Sequence, residues 1–371
     1  MRIRTPSVLT AVLLTVLAAP AHSATGVPAD LPGARAAGPV GPGWYLTEID
    51  HGTRGPYGIR ARSQRLVLVS PDGDRHRILQ RAVHHGGFQL LDWSPDGSTA
   101  LLLVGNEEDQ RALRVDVATG DTHWTDLPAN VAEAVLAPDG SGILAVGYEK
   151  ARTGRAALFT VDWSGATHPV APDVSGPVLP SVDGTTLVTG GSGWRGKVIR
   201  VLSATDGAVQ QRIQTTGHCR PVRWWDAHRA LVACGEDLAL VDASTGKVRT
   251  LTDQHDQRSG DYGHLDARRI DSGLYVEVSG PCGYVYLGRQ HRDGSVTQVD
   301  VPHAVGNVVL LDGSGDQLVI EHAVSCDGAQ PRSVIARFDP VTAKERVITA
   351  LPRKEGFGTI LRFGDRQPTG Y

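Results

Sequence analysis

Aspartates at positions 96, 139, 183, 226, 271 and 312 recur every 41 to 45 residues, each in a turn signal between short apolar runs. The turns are Trp93-Ser94-Pro95-Asp96-Gly97, Leu136-Ala137-Pro138-Asp139-Gly140, Pro180-Ser181-Val182-Asp183-Gly184, Trp225-Asp226-Ala227-His228, Ile270-Asp271-Ser272-Gly273 and Leu311-Asp312-Gly313. Phe363-Gly364-Asp365 is a degenerate seventh copy. A second set of turns, at Gly73, Gly120, Gly165, Gly207, Gly246 and Gly294, keeps the same period, with Ala343 in its seventh slot. Asp-Gly and Thr-Gly suit tight hairpins because glycine takes positive φ without a Cβ clash. Two turns per unit, with a strand before, between and after them, give four strands per repeat. A fixed period of about 45 residues with four strands is the mark of a propeller blade. The expected fold is all-β, a seven-bladed β-propeller with four antiparallel strands per blade.

Ser70-Pro71-Asp72-Gly73 comes too soon before the turn at Asp96 to belong to the first set, so it is the second turn of blade one. Blade one then lacks an innermost strand, while residues 359–363 are a surplus strand after blade seven. Pairing that strand beside residues 44–49 closes the ring, and closure removes the unpaired edges that an open sheet would expose.

Arg2 and Arg4, the apolar run at residues 8–19 and Ala21-His22-Ser23 match a secretory signal peptide over residues 1–23, cleaved before Ala24. The run falls short of the roughly 20 residues needed to span a bilayer. Residues 24–42, rich in Pro, Gly and Ala, read as a linker, residues 43–367 as the propeller and residues 368–371 as a tail. Secretion to the extracellular side follows. The net charge of −3 gives no electrostatic case for nucleic acid or an anionic membrane, and no later apolar stretch approaches a membrane span, so no membrane insertion is expected.

An exported chain with four cysteines favours disulfides. Cys219 opens the inner strand of blade five and Cys234 ends the next strand; if Trp224 pairs with Arg229, the two cysteines stand opposite each other. Cys282 and Cys326 occupy corresponding loops of blades six and seven, and are the second expected pair. No C-x-x-C or clustered histidines at zinc-site intervals appear, and no cofactor is expected.

Asp92-Trp93-Ser94-Pro95-Asp96-Gly97-Ser98-Thr99-Ala100-Leu101 resembles the W-S-P-D-G-x-x-[IL] signature of the TolB-like, WD-like propeller repeats, and Ala137-Pro138-Asp139-Gly140-Ser141-Gly142-Ile143-Leu144 is a second copy. The resemblance implies a periplasmic or extracellular propeller, often one that binds protein. It does not carry over that family's cell-envelope partners, and no N-terminal α/β domain like TolB's is expected before the propeller. Propellers of this type also cap prolyl-oligopeptidase-like serine peptidases, but no serine here sits in a G-x-S-x-G elbow. Gly191-Ser192-Gly193-Trp194-Arg195-Gly196-Lys197 nearly matches a phosphate-binding loop, yet Val198 replaces the Ser or Thr that would hold magnesium. It reads as a glycine-rich loop presenting Trp194 and Arg195.

Loops between second and third strands share a face with the blade-to-blade loops, and the expected long ones are 50–58, 105–111, 148–155, 190–197 and 322–332. That face is the expected binding surface. It should also collect His84, His85, Asn130, His218, Asp261, Tyr262, His264 and His303 near the blade entrances. No carboxylate pair or Asp-His couple stands out by spacing. The reading is a monomeric, non-enzymatic propeller that binds an extracellular protein, peptide or envelope polymer. The alternative is a metal-dependent lactonase- or lyase-like enzyme using channel histidines and acids.

Overall fold

The computed structural model describes residues 40–364, apart from 56–57, 84–86, 106–109, 129, 149–155, 175, 191–196, 216, 254, 256–259 and 325–331. Its strands, β1 to β28 in chain order, form seven four-stranded antiparallel sheets. Blade one has the order β28-β1-β2-β3, in which β28 (Glu355–Arg362) lies beside β1 (Tyr45–Gly55), then β2 (Gly58–Val69) and β3 (Arg75–Ala82). The other blades run outward in sequence order from inner strands β4 (Phe88–Trp93), β8 (Val131–Leu136), β12 (Val178–Pro180), β16 (Cys219–Trp224), β20 (His264–Ile270) and β24 (Ala304–Ser314). The ring is therefore closed by the C-terminal strand, with Tyr45 opposite Arg362 and Leu46 opposite Leu361.

Seven apolar clusters hold the ring, one at each boundary between adjacent blades. Strands inside a blade are covered on both faces, which is why a second strand such as Gly142–Tyr148 is buried nearly throughout. Outermost strands such as Thr167–Pro172 are largely exposed and correspondingly polar. Leu361 of β28 packs with Leu46, Leu66, Phe88 and Leu90, so the closing strand is core. Val40, within the stretch read as linker, also packs against this cluster. The expected signal peptide, the expected tail and most of the expected linker lie outside the described residues. No helix among the described residues is long and apolar enough to cross a membrane.

The repeating aspartate builds its turn with its side chain. Asp96, Asp139, Asp183 and Asp226 each accept the amide two residues on, the arrangement that lets Asp start a turn. Trp93, buried between blades, donates its indole N–H to the Gly97 carbonyl. In the second turn set all six glycines have positive φ, and Ala343 takes the same conformation at φ 52°.

Two turn assignments need correction. Asp312-Gly313 lies inside β24, and the turn comes later, at Gly315 with φ 58°. Asp312 is buried and pairs with Arg362, while a Cβ on Gly313 would sit 2.9 Å from Ile270 Cγ2. Packing fixes these residues in the strand. Most of the expected loop at 50–58 is likewise strand, because β1 and β2 run on to Gly55 and Gly58.

Cys219 and Cys234 form a disulfide across β16 and β17 (Arg229–Cys234), with Cα atoms 4.0 Å apart. The expected register was wrong at its start, since Trp224 pairs with Ala230, not Arg229. A bulge between Pro221 and Arg223 absorbs the extra residue and brings the cysteines level. Cys282 is an exposed free thiol at φ 57°, and Cys326, its expected partner, lies outside the described residues.

Candidate functional site

Bulges recur along the channel. The inner strands of blades one, two, three, five, six and seven each carry one against the second strand of the blade. Inner strands are also the edges of their sheets, so their channel-facing amides need acceptors. Neighbouring blades supply them. Glu48 Oε2 accepts the Leu90 amide at 2.8 Å, Asp92 Oδ2 accepts Leu136 at 2.8 Å, and Glu277 Oε2 accepts Leu310 at 2.8 Å. Arg223 Nε donates to Asp266 Oδ1 at 2.8 Å, and Arg268 donates to the Leu311 carbonyl at 2.6 Å. Each of these bonds crosses a blade boundary beside the channel.

Four glutamates, two of which make these bonds, sit in inner or second strands of the blades. Glu48 is in β1, Glu133 in β8, Glu277 in β21 (Gly273–Ser279) and Glu321 in β25 (Gln317–Val324). Burial disfavours their charged forms. It raises Glu48, Glu133 and Glu321 to about 7 and Glu277 to about 8. The Arg220 guanidinium partly opposes the shift at Glu133 and Glu277. At neutral pH a substantial share of each carboxyl keeps its proton, Glu277 most of all, and in that form it can donate a hydrogen bond as well as accept one.

Between the blades lies a channel cavity of about 580 Å³. Gln89, Arg220, Asp266, Glu277, Glu321 and Thr359 give it polar groups, while Val222, Leu265, Val309, Ile360 and Leu361 give it apolar wall. The lining comes from blades one, two, five, six and seven, so an occupant would bridge much of the ring. A cavity of this size with a few convergent polar groups on an apolar wall is the usual form of a small-ligand site.

A second polar group stands at the start of blade six. Asp261 and His264 meet there, and His255 and Asp237 join them. His255 Nδ1 lies 3.1 Å from Asp261 Oδ1, and His255 Nε2 lies 2.7 Å from Asp237 Oδ1. His264 Nε2 lies 3.3 Å from Asp261 Oδ2, and the two imidazole centroids are 4.5 Å apart. Burial outweighs the nearby carboxylate and lowers His264 to about 4, whereas the hydrogen bonds to Asp237 and Asp261 outweigh burial at His255 and raise it. The expectation that no Asp-His couple would stand out is corrected here: Asp261 is coupled to both histidines.

The remaining expected residues do not converge. Tyr262 is 44% exposed on the rim, and its amide bonds to the Ser279 carbonyl. His218 is exposed, and its carbonyl accepts the Gly235 amide. Asn130 and His303 hold left-handed backbone, φ 67° and 61°, just before inner strands, which is a structural reason for their place at blade entrances. His84, His85, Trp194 and Arg195 lie outside the described residues. Sequence reasoning followed histidines and missed the glutamates. Their signal was present: a single acid inside Val131–Leu136, Gly273–Ser279 and Gln317–Val324, runs otherwise fit for a buried strand.

No protein-family model matches the chain, and no curated protein matches it. Solved structures do. A prolyl endopeptidase superposes with TM-score 0.54 at 14% identity, over 82% of this chain and 48% of that one. This chain spans about half the length of that enzyme. The periplasmic gluconolactonase of Pseudomonas aeruginosa superposes with TM-score 0.50 at 14% identity, over 85% of this chain and 99% of that one. TolB from Acinetobacter baumannii gives TM-score 0.42 at 13% identity, over 84% and 66% of the two chains, too loose to add to the argument. At these identities the likeness concerns the fold alone.

Proposed function

We propose that this chain is an extracytoplasmic, non-enzymatic binding propeller that receives the saccharide end of a cell-envelope polymer in its central channel, from the loop-bearing face. The observation that carries this reading is the cavity of about 580 Å³ whose acids are held near neutrality by burial. Hydroxyl groups both donate and accept, and protonated carboxyls match them in both roles. Arg220 and Gln89 add fixed donors, and the leucine and valine wall suits the apolar face of a sugar ring. The Cys219–Cys234 disulfide fits an oxidising compartment.

The competing reading is a lactonase- or lyase-like enzyme with a metal on channel histidines. The cavity lining contains no histidine among the described residues, which favours binding. Titration calorimetry with chitooligosaccharides, soluble peptidoglycan fragments and mixed-sequence peptides tests the proposal. Saccharide-bearing probes should bind the intact chain, and Arg220→Ala should weaken them at least tenfold. Binding of peptides alone, or equal binding by the Arg220→Ala protein, would overturn it.

A further inference from the structure

The group at the start of blade six lies outside the channel lining, and nothing in the binding reading uses it. The geometry points to a metal site: His255 Nδ1, an Asp261 carboxylate oxygen and His264 Nε2 are placed to bind one divalent ion of the zinc class, with no fourth protein ligand among the described residues.

Ligand spacing supports this. Zinc bonds of roughly 2.0–2.2 Å in a tetrahedron put neighbouring ligand atoms about 3.4 Å apart. The Asp261 carboxylate stands between the two imidazoles at comparable spacing, one oxygen toward each: Oδ1 lies 3.1 Å from His255 Nδ1 and Oδ2 lies 3.3 Å from His264 Nε2. All three residues offer ligand atoms within 4.8 Å of one another.

The support around the ligands has the form that metal sites need. A ligating histidine usually gives its other ring N–H to a carboxylate, which fixes tautomer and ring orientation. Asp237 accepts His255 Nε2 at 2.7 Å, so His255 is already turned with Nδ1 inward. The Gly263 amide donates to Asp261 Oδ1 at 3.0 Å and anchors that carboxylate. Asp237 is 42% exposed, so the group opens to solvent on its side.

An ion-pair network is the plain rival. A protonated His255 bridging Asp237 and Asp261 would explain three of the four residues. It serves His264 poorly. That imidazole is 1% exposed, its Nε2 approaches Asp261 Oδ2 at 3.3 Å without good hydrogen-bond geometry, and its Nδ1 has no hydrogen-bond partner among the described residues. A buried imidazole so weakly bonded is costly unless another partner exists. A metal ion held through Nε2 supplies one.

The test uses the full chain without an affinity tag, stripped with chelator and titrated with Co²⁺ and then Zn²⁺. One equivalent of Co²⁺ should bind with the visible absorption of a four-coordinate ion, and Zn²⁺ should displace it. His255→Gln should abolish the absorption, and Asp237→Asn should weaken binding about 10- to 100-fold, the range for such supporting carboxylates. Circular dichroism melts of each variant establish that it folds; His264 is left intact because its burial makes misfolding a risk. Absence of stoichiometric binding in the folded wild type, or unchanged binding in folded His255→Gln, would overturn the site.

Discussion

Tyr45 stands opposite Arg362 in the ladder where the N-terminal and C-terminal strands meet. Arg362 reaches onward to Asp312 of blade seven at 2.9 Å, so one residue ties the closing strand to both sides of the seam. Leu361 beside it is buried in the cluster between blades one and two. Deleting residues 356–371 removes that burial and exposes the inner edge of β1. The melting temperature should fall by on the order of 10 °C or more, scaling from several kcal/mol lost in a domain of this size. A truncated chain that melts like the full one would contradict closure.

Ala343 occupies a backbone conformation that glycine fills in the six matching turns. Left-handed backbone costs a non-glycine residue about 1 kcal/mol or more. Glycine also gives up some chain entropy on folding, so Ala343→Gly should stabilise by a net of about 0.5 kcal/mol. Denaturant unfolding reads this directly as a raised midpoint with unchanged slope.

Blade number, ring closure and the first disulfide were legible in the sequence because they follow from counting the period and its turns. What was not legible depends on backbone irregularities and side-chain contacts that spacing does not report. The bulge between Pro221 and Arg223 could not be seen in residues that read as a plain strand. Asp312-Gly313 looked like its five predecessors, and only Arg362 and Ile270 fix it inside a strand. In the site, Asp261 and His264 were singled out separately, but neither their coupling nor the part of His255 was read from spacing. The glutamates were passed over because their surroundings, which raise their pKa values, belong to neighbouring blades.

Glu277 gives a pH signature. Its carboxyl ionises near 4.5 in an exposed setting and near 8 in the fold, because burial outweighs the Leu310 amide. The folded state thus holds the proton more tightly. Its stabilising contribution is complete below pH 4.5 and is lost progressively as pH rises toward 8. Glu277→Gln keeps an acceptor for Leu310 and cannot ionise. It should be neutral to stability at pH 4 and stabilise by about 2 kcal/mol at pH 8.5, well under the ceiling implied by the shift. Unfolding curves that shift equally at both pH values would contradict a buried neutral acid.

A second channel acid, Glu321, is read from the ligand side. Glu321 lines the cavity, and burial raises it to about 7. Calorimetric affinity for a bound oligosaccharide, measured from pH 6 to pH 9, should fall severalfold for the wild type as this carboxyl ionises. In Glu321→Gln, whose side chain keeps a donor and an acceptor at every pH, the fall should be clearly smaller. An affinity that is flat in the wild type, or that falls equally in Glu321→Gln, would contradict recognition by a protonated channel acid.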